Sequence, residues 1–388
     1  MPKDRIYAAH NNIDKGNLQI NVTSSLGLIP IENATITISY TGDPDASIEE
    51  LRTDSSGQTE SVELPAPPVE YSLDSTFAAQ PYSEYNLLVQ AEGYEPVTIS
   101  GTEVLPTVTA LQPVRMVPRE IEQEPSEVIV IPDHTLYGDY PPKIPEEEIK
   151  PIDETGEIVL NRVVIPEYVV VHDGVPGDST AADYYVRYRD YIKNVASSEI
   201  YATWPENSIY ANVLAIMSFT LNRVYTEWYR NRGYNFTITS STAYDQKWIR
   251  GRNFYSNIER IVDSIFANYL SRPGVRQPIF TSYCDGRRVT CSGLSQWGSK
   301  YLGEEGYSPI EIIRYYYGSD MYINSAESIA GVPSSWPGYN LTVGSSGDKV
   351  RQMQQQLNRI AQNYPAIPQL TVDGIYGPAT AEAVRTFQ

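Results

Sequence analysis

The chain has 388 residues, 41% of them hydrophobic, and this length exceeds one ordinary domain, so two or three small cores are expected. Its net charge of -19 argues against nucleic acid as the main partner, because phosphate binding needs a basic surface. No stretch carries the roughly eighteen uninterrupted apolar residues that define a membrane span, so no membrane partner is predicted.

Residues 1–118 are predicted to form a small β-sandwich. Leu18, Ile20 and Val22 alternate with polar residues, as in a strand with one buried face, and turn clusters such as TGDPD separate runs of this kind. The segments LIPIENATITI and NLLVQAEGYEPVTI resemble the carboxypeptidase regulatory-like module, which is usually an accessory unit. The opening residues, MPKDRIYAAHNN, have no apolar core of a secretory signal, so none is predicted.

Residues 119–162 are predicted to be an acidic, proline-rich linker. Between Glu120 and Ile158 the sequence has twelve acidic residues, two basic residues and six prolines. Such a composition is not expected to bury a core and behaves as extended chain. An exposed segment of this kind is a natural site for a protease.

Residues 163–323 are predicted to form a central α+β domain. Apolar and aromatic side chains recur there at intervals of three or four, which is the period of a helix with one buried face. The pattern predicts a helix that ends near Ser198, another that begins at about Glu206, and a third over SPIEIIRYYYG. Capping boxes are predicted at two of the helix starts: Thr203 with Glu206, and Ser308 with Glu311.

Glu199, in the stretch VASSEIYATWP, has no structural explanation in this pattern. It follows the predicted end of a helix, where the negative end of the helix dipole and apolar neighbours both disfavour an ionised carboxylate and raise its pKa. A raised pKa suits a general acid that works near neutral pH. Glu199 is therefore the candidate catalytic residue.

Two segments of the central domain resemble the sporulation stage II protein D family (SpoIID/LytB). YIKNVASSEIYATWPENSIYANVLAIMSFTLNRVY is similar to the family segment that holds a catalytic glutamate before a Trp-Pro step. LSQWGSKYLGEEGYSPIEIIRYYYG is similar to its Ser-Gln-Trp-Gly signature. The resemblance implies a catalytic role for Glu199. The chain departs from the family before Ser-Gln-Trp-Gly, where it reads TCSGL instead of a His-rich and Gly-rich stretch.

The order of the segments resembles that of the clostridial spore cortex-lytic enzymes of the SleC type. Those enzymes are lytic transglycosylases, and their N-terminal part is removed at germination. The resemblance implies that residues 1–162 form a pro-region, cut near LNRVVIPE by an activating protease, and that the products carry 1,6-anhydromuramyl ends. It also implies a location in the spore cortex or coat, after synthesis in the mother cell without a classical signal peptide.

The resemblance to a lytic transglycosylase agrees with a single candidate carboxylate. A usual glycoside hydrolase needs two carboxylates at a set separation, whereas a transglycosylase needs only one. Other side chains are candidates for glycan binding, because aromatic rings stack on sugars and amides can hold acetamido groups. These substrate-binding candidates are Trp204, Tyr244, Asp245, Ser295, Gln296 and Trp297.

The two cysteines, Cys284 and Cys291, lie in the stretch CDGRRVTC. Their spacing is longer than the roughly two to four residues of common zinc knuckles, and none of the three histidines adjoins them. No metal or other cofactor is therefore predicted. A short disulfide and a pair of reduced thiols remain as alternatives.

After a linker over residues 324–340, the segment 341–388 contains Gly347-Asp348, Gln354, Leu357, Asp373-Gly374, Tyr376-Gly377-Pro378 and Thr380. With these residues it resembles the type 1 peptidoglycan-binding domain. This resemblance implies a three-helix module with peptidoglycan as its partner. The chain stops within AEAVRTFQ, where that family continues, so either the module is incomplete or the sequence is a fragment. The candidate residues of this module are Asp348, Gln354, Asp373 and Tyr376.

Two other functions are alternatives. An N-acetylmuramoyl-L-alanine amidase would need zinc held by clustered histidines, and three histidines in the whole chain disfavour it. A non-catalytic, peptidoglycan-binding scaffold of the spore or wall is the alternative from another class. An enzyme of the vegetative wall is also possible, with the cell wall as its location.

Overall fold

The computed structural model describes residues 13–25, 29–119, 127–151, 162–330, 341–362 and 364–388. The chain forms two compact units, Met1–Glu327 and Ser328–Gln388. The first unit includes both the predicted β-sandwich and the predicted central domain. Within the described ranges, no helix is long and apolar enough to cross a membrane.

The N-terminal part of the first unit consists of two β-sheets. The predicted alternation is confirmed, since Leu18, Ile20 and Val22 are all fully buried. The elements are β1 (Asp14–Ser24), β2 (Thr35–Tyr40), β3 (Asp43–Arg52), β4 (Val62–Ala66), α1 (Glu70–Leu73), β5 (Ser83–Gln90), β6 (Val97–Val104), β7 (Thr109–Met116) and β8 (Glu127–Val130).

The rest of the first unit is mainly helical, with short strands between the helices. Its strands are β9 (Val164–Ile165), β10 (Tyr168–His172), β11 (Asp183–Arg187), β12 (Ile238–Thr239), β13 (Phe254–Tyr255), β14 (Asn268–Ser271), β15 (Tyr283–Cys284), β16 (Leu294–Ser295) and β17 (Tyr322–Ser325). Its helices are α2 (Tyr188–Glu199), α3 (Glu206–Tyr225), a 3-10 helix (Arg230–Arg232), α4 (Ser256–Ile265), α5 (Gln296–Glu304) and α6 (Pro309–Tyr317).

Strands from later in the chain complete both N-terminal sheets. The five-stranded sheet has the order β3-β2-β5-β6-β8, and β8 pairs parallel to β6. The four-stranded sheet has the order β13-β7-β1-β4, so β13 of the helical part pairs antiparallel with β7. The sandwich and the helical part therefore share a sheet.

Helix α3 lies at the centre of the helical part. It is apolar almost all round, as expected for a helix that is surrounded by protein. Helices α2, α4, α5 and α6 and strand β14 all contact it. This packing brings the end of α2 close to the start of α5, where the candidate site lies.

One of the two predicted capping boxes is confirmed and the other is wrong. At α6 the backbone N–H of Ser308 donates to Glu311 at 2.8 Å, and both bonds of the box are present. At α3 no side chain caps the helix. The residue at the cap position is Pro205, so Thr203 lies before the cap and Glu206 is the first helical residue. The Thr203 hydroxyl instead donates to Ser72 at 2.7 Å.

Residues 127–151 are extended, as the linker prediction requires, but they are not free of the protein. His134 is fully buried and Lys150 is 3% exposed. Glu146 of this segment forms ion pairs with two buried cations, Arg223 at 2.6 Å and Lys150 at 2.7 Å. The expectation that this composition stays unpacked is therefore wrong for these residues.

The second unit contains β18 (Ser328–Ile329), α7 (Asp348–Ala361) and α8 (Pro378–Phe387). The described part of this unit has two helices rather than the three that the family pattern implies. Their apolar faces meet in one small core of Leu357, Ala361, Ile367, Leu370 and Ala383.

Candidate functional site

Glu199 is the last residue of α2, one residue beyond the predicted helix end near Ser198. Ile200 caps the helix in an extended conformation, so the chain turns away there. The Glu199 side chain is only 3% exposed, which is unusual for a glutamate. A buried carboxylate at this position needs either full pairing or a functional explanation.

The two oxygens of the Glu199 carboxyl differ in their surroundings. Oε1 accepts a hydrogen bond from the backbone N–H of Lys247 at 2.7 Å. Oε2 is buried and has no hydrogen-bond partner of standard geometry among the described residues. Tyr283 lines the same cavity, and its hydroxyl stabilises the ionised form of the carboxyl, which lowers the pKa of Glu199. One oxygen is therefore held and the other is left without a partner.

Burial raises the pKa of Glu199, which confirms the predicted direction. Burial is the largest cause, whereas the sequence argument relied equally on the helix dipole. Four effects lower the pKa in opposition: first the charge of the Lys143 ammonium, then the Lys247 backbone N–H, the Tyr283 hydroxyl and the charge of the Lys247 ammonium. Burial outweighs them, so the protonated form of Glu199 is favoured more than in water.

Glu199 lines a cavity between three parts of the first unit. One wall consists of residues 135–143, and another consists of the loop between the two cysteines. Helix α5 contributes its first residue. The lining residues are Thr135, Gly138, Tyr140, Pro141, Lys143, Glu199, Thr242, Tyr283, Cys284, Asp285, Arg288, Val289 and Gln296.

Residues 133–146, here called the strap, hold the backbone on both sides of Glu199. The backbone N–H and the hydroxyl of Thr135 both donate to the carbonyl of Ser198, at 3.0 and 2.7 Å. The His134 imidazole lies 3.1 Å from the carbonyl of Ile200. Since a carbonyl only accepts, Nε2 of His134 is the donor. Further along the strap, Lys143 donates to the backbone carbonyl of Asp245.

The cysteine loop forms a second wall and also holds the strap. Cys284 and Cys291 form a disulfide, which settles the two alternatives left by the sequence. Both carboxylate oxygens of Asp285 accept backbone N–H groups, from Arg288 and Val289, each at 2.9 Å. The Arg288 guanidinium donates to two strap carbonyls, those of Leu136 and Gly138.

Trp204 and Trp297 lie together but do not line the cavity. Their ring centroids are 5.0 Å apart, and Tyr201 and Tyr301 extend the same cluster. The indole N–H of Trp204 donates to the Ser72 carbonyl at 2.9 Å. The hydroxyls of Tyr301 and Ser75 lie 2.9 Å apart. The N-terminal part therefore covers the aromatic rings that the sequence suggests for stacking on glycan.

Asp245 is fully buried and has a structural position rather than the predicted one on the cleft wall. Its carboxylate accepts from Arg223 at 2.7 Å and from the Tyr229 hydroxyl at 2.6 Å. It also accepts the backbone N–H of Thr239 at 2.9 Å. Tyr244 is partly exposed, and its carbonyl accepts from Arg223, but its side chain does not line the cavity.

In the Ser-Gln-Trp-Gly turn, one residue caps a helix and the next lines the cavity. The Ser295 hydroxyl accepts the Gly298 N–H at 3.0 Å and caps α5. Gln296 lines the cavity with Glu199. Of the residues predicted to act on the glycan, these two positions, 199 and 296, are the ones that the structure places on this cavity.

Several cavity residues were not singled out from the sequence. Lys143, Tyr283 and Arg288 line the cavity. Lys247 does not line it, but its backbone N–H donates to Glu199. Tyr283 has one detectable signal, since it directly precedes Cys284 in a chain with only two cysteines. Within the described residues, no cluster of three or more His, Cys, Asp or Glu side chains is arranged to hold a metal ion.

The candidate residues of the second unit hold a turn. Gln354 is buried, donates to Asp373 at 2.8 Å and accepts the Gly374 N–H at 2.8 Å. Tyr376 is also buried. The side chain of Asp348 lies outside the described part of the structure. The signature residues that can be seen therefore stabilise the fold of this unit.

Solved structures that resemble the chain do so over limited stretches. The minor pilin GBS52 of Streptococcus agalactiae is 13% identical, with 30% of this chain and 50% of the pilin covered and a TM-score of 0.21. Wild-type catechol 1,2-dioxygenase of Acinetobacter radioresistens is 15% identical, with 30% and 58% covered and a TM-score of 0.19. Klebsiella pneumoniae 5-hydroxyisourate hydrolase is 14% identical, with 27% of this chain and 92% of the hydrolase covered and a TM-score of 0.18. At these TM-scores the likeness carries no argument about fold or function.

No curated protein matches the chain. A family model does match its C-terminal part, over residues 346–388, and that family is the peptidoglycan binding domain of type 1. The matched range begins just before α7 and includes α8, so it coincides with the helical core of the second unit. Residues 346–388 are therefore a type 1 peptidoglycan-binding domain.

Proposed function

We propose that this chain is a lytic transglycosylase of peptidoglycan in which Glu199 serves as both acid and base. The C-terminal domain supports peptidoglycan as the partner and an association with the cell wall. The observation that carries the proposal is the Glu199 carboxyl, which is buried on a cavity with one oxygen held and the other without a partner. A raised pKa at this position suits proton donation near neutral pH.

The cavity offers one available carboxylate, and this favours transglycosylation over hydrolysis. Asp285 also lines it, but both of its oxygens accept backbone N–H groups of its own loop. Asp245 lies behind the cavity wall, where Arg223 and Tyr229 occupy its oxygens. A hydrolase of the usual kind would need a second free carboxylate for water or for a covalent intermediate.

The reaction would proceed in two proton transfers through Glu199. Protonated Glu199 gives its proton to the oxygen between N-acetylmuramic acid and N-acetylglucosamine as the bond from that oxygen to the muramyl C1 breaks. The resulting carboxylate then takes the proton of the muramyl C6 hydroxyl while that oxygen bonds to C1. Glu199 returns to its starting form, and the products are a 1,6-anhydromuramyl end and a free N-acetylglucosamine hydroxyl.

The strap supports synthesis of the protein as an inactive precursor. Strap residues form one wall of the Glu199 cavity and bond to the residues on both sides of Glu199. Lys143 of the strap also favours the ionised form of Glu199, which cannot act as an acid. Cleavage near LNRVVIPE would cut the covalent link between the strap and the helical part, so that the strap could then dissociate; residues 152–161 of this region lie outside the described structure.

The decisive experiment analyses the fragments that the protein releases from peptidoglycan. Protein trimmed before Val163, its Glu199→Gln variant and the full chain are incubated with purified cortex and with vegetative peptidoglycan. As a matched control we choose Glu206→Gln, because Glu206 is an exposed glutamate that pairs with Arg260 outside the cavity. The products are identified by mass spectrometry.

We expect anhydromuramyl ends from the trimmed protein and from Glu206→Gln, with a loss of about a thousandfold in Glu199→Gln. Free reducing ends would show that the protein is a hydrolase instead of a transglycosylase. Released stem peptides would show that it is an amidase. Binding without any release would leave a peptidoglycan-binding scaffold. A full chain as active as the trimmed form would overturn the proposal of an inactive precursor.

A further inference from the structure

Behind the Glu199 carboxyl lies a buried chain of hydrogen bonds that the proposed mechanism does not yet use. Gln246 is fully buried and Tyr283 is 2% exposed. The amide nitrogen of Gln246 lies 3.1 Å from the carbonyl oxygen of Ile216 and 3.1 Å from the hydroxyl oxygen of Tyr283. The structure therefore links a fully buried amide to a hydroxyl on the cavity wall.

The surroundings of Gln246 determine which way its amide points. The carbonyl of Ile216 can only accept, so the amide nitrogen must face it. On the other side, the Gln246 oxygen accepts from the hydroxyls of Tyr191, at 3.0 Å, and Thr220, at 2.8 Å. This arrangement makes Gln246 the donor to Tyr283. The hydrogen of the Tyr283 hydroxyl is then directed elsewhere.

Glu199 and Tyr283 line the same cavity, and the Tyr283 hydroxyl stabilises the ionised form of the Glu199 carboxyl, which lowers its pKa. Burial raises the pKa of Tyr283 well above its ordinary range, so the phenol stays protonated and can donate. Lys247 holds Oε1 from the backbone. A second donor on the same carboxyl would restrict its rotation.

We propose that Tyr283 is a positioning residue that holds the Glu199 carboxyl in its working orientation, and that Gln246 sets the direction of the Tyr283 hydroxyl. The catalytic meaning of this inference rests on the proposed function. The interaction itself can be measured without any turnover. Tyr283 acts through Glu199 and does not exchange a proton with the glycan.

This arrangement predicts a specific effect on the titration of Glu199. A hydroxyl that donates to a carboxylate stabilises the ionised form and lowers its pKa. In Tyr283→Phe that stabilisation is lost, so burial has a larger net effect and Glu199 keeps its proton to higher pH. The other charged or titratable groups that face Glu199 or its cavity are unchanged in the variant: Tyr140, Lys143, Tyr191, Lys247, Asp285 and Arg288.

The experiment follows the protonated Glu199 carboxyl by infrared difference spectroscopy of the full chain, with Glu199→Gln used to identify its band. Tyr140→Phe is the matched control, because its phenol lines the same cavity but donates to the Asp133 carbonyl. We expect the Glu199 band to persist to higher pH in Tyr283→Phe and to be unmoved in Tyr140→Phe. Equal titration of Tyr283→Phe and the natural protein would overturn the inference.

Gln246→Met tests the second half of the inference, since methionine has a similar shape but cannot donate. We expect a smaller shift in the same direction, and no additional shift when it is combined with Tyr283→Phe, because Gln246 acts through Tyr283. Additive shifts would overturn its role. Thermal unfolding confirms that each variant is folded.

Turnover by the full chain, cleaved near LNRVVIPE after it has folded, separates this inference from the proposed function. We expect Tyr283→Phe to lower kcat about tenfold and to move the alkaline limb of kcat/KM to higher pH. If the titration shifts but no form of the protein cleaves peptidoglycan, the proposed function fails and the carboxyl interaction stands. If the natural protein cleaves and the pH profile of Tyr283→Phe is unchanged, the positioning role fails and the proposed function stands.

Discussion

Two buried glutamates in the first unit, Glu103 and Glu199, differ in the partners of their carboxyl oxygens. Glu103, between the sandwich and the helical part, receives the Arg252 guanidinium on both oxygens, at 3.0 and 2.5 Å. Glu199 has one held oxygen and one without a partner. Burial raises the pKa of both. A raised pKa therefore does not identify a catalytic acid by itself, whereas an unpartnered oxygen on a cavity points to one.

The largest expected effect is on stability at Glu103. Glu103→Leu leaves the Arg252 guanidinium buried without an acceptor, and we expect a loss of about 4 kcal/mol in the free energy of unfolding. Glu199→Gln should change it by less than about 1 kcal/mol, because no paired charge is lost. Urea unfolding of both variants measures the difference. Adding Arg252→Met to Glu103→Leu should restore most of the stability, since a matched apolar pair replaces the ion pair.

The pH dependence of stability is the next largest effect. Burial raises the pKa of Glu103 to about 7 from 4.5, against the opposing effect of Arg252. Because the folded-state pKa is raised, this contribution is fully present below pH 4.5 and is lost as the pH rises to about 7. The loss is about 3 kcal/mol over that window. We expect the Glu103→Leu, Arg252→Met double variant to show a correspondingly flatter profile; an unchanged slope would contradict the assignment.

A smaller effect is expected in the second unit, where Gln354 is a buried polar group with all its partners. Gln354→Met removes the acceptor of the Gly374 N–H and the donor to Asp373. We expect a loss of about 2 kcal/mol in the stability of that unit. Binding of the variant to peptidoglycan, measured at a temperature where the unit is folded, should be retained. Loss of binding by the folded variant would show that this turn contacts the glycan.

The smallest effect is expected at Lys143, which faces Glu199 from the strap. Lys143→Met removes the group that most strongly favours the ionised form of Glu199. We therefore expect Glu199 to titrate at higher pH in the full chain. Infrared titration of the full chain and of its Lys143→Met variant checks this, and a shift to lower pH in the variant would contradict it.

The sequence is informative about Glu199 because its signal is local. The end of α2, the apolar neighbours and the following Trp-Pro step all lie within a few residues of it. The Ser308 capping box is predictable for the same reason, since both partners belong to one helical turn. Predictions of this kind depend only on backbone geometry over a few residues.

The surroundings of Glu199 could not be predicted in the same way. The Thr203 hydroxyl bonds to Ser72, which lies 131 residues away, and the Arg288 guanidinium reaches a carbonyl 152 residues away. Asp245 follows a strand-like stretch, which suggests a position on the wall of the substrate cleft. In the structure it is buried and forms an ion pair with Arg223 of α3. Periodicity and composition contain no information on such distant pairs. They therefore predicted an exposed linker where the chain forms the cavity wall.

The two-residue strand β13 has a consequence for the order in which the protein is made. Its partner strand β7 is translated long before it, and Asn253 beside β13 bonds to Glu103, which is 150 residues away. During synthesis, the β7 edge of the N-terminal sheet stays unpaired until this late segment has been made. An open sheet edge can pair with another chain. Contacts of such long range also slow folding. We therefore expect nascent chains that end before residue 254 to be prone to aggregation even though all residues of the sandwich proper have been made.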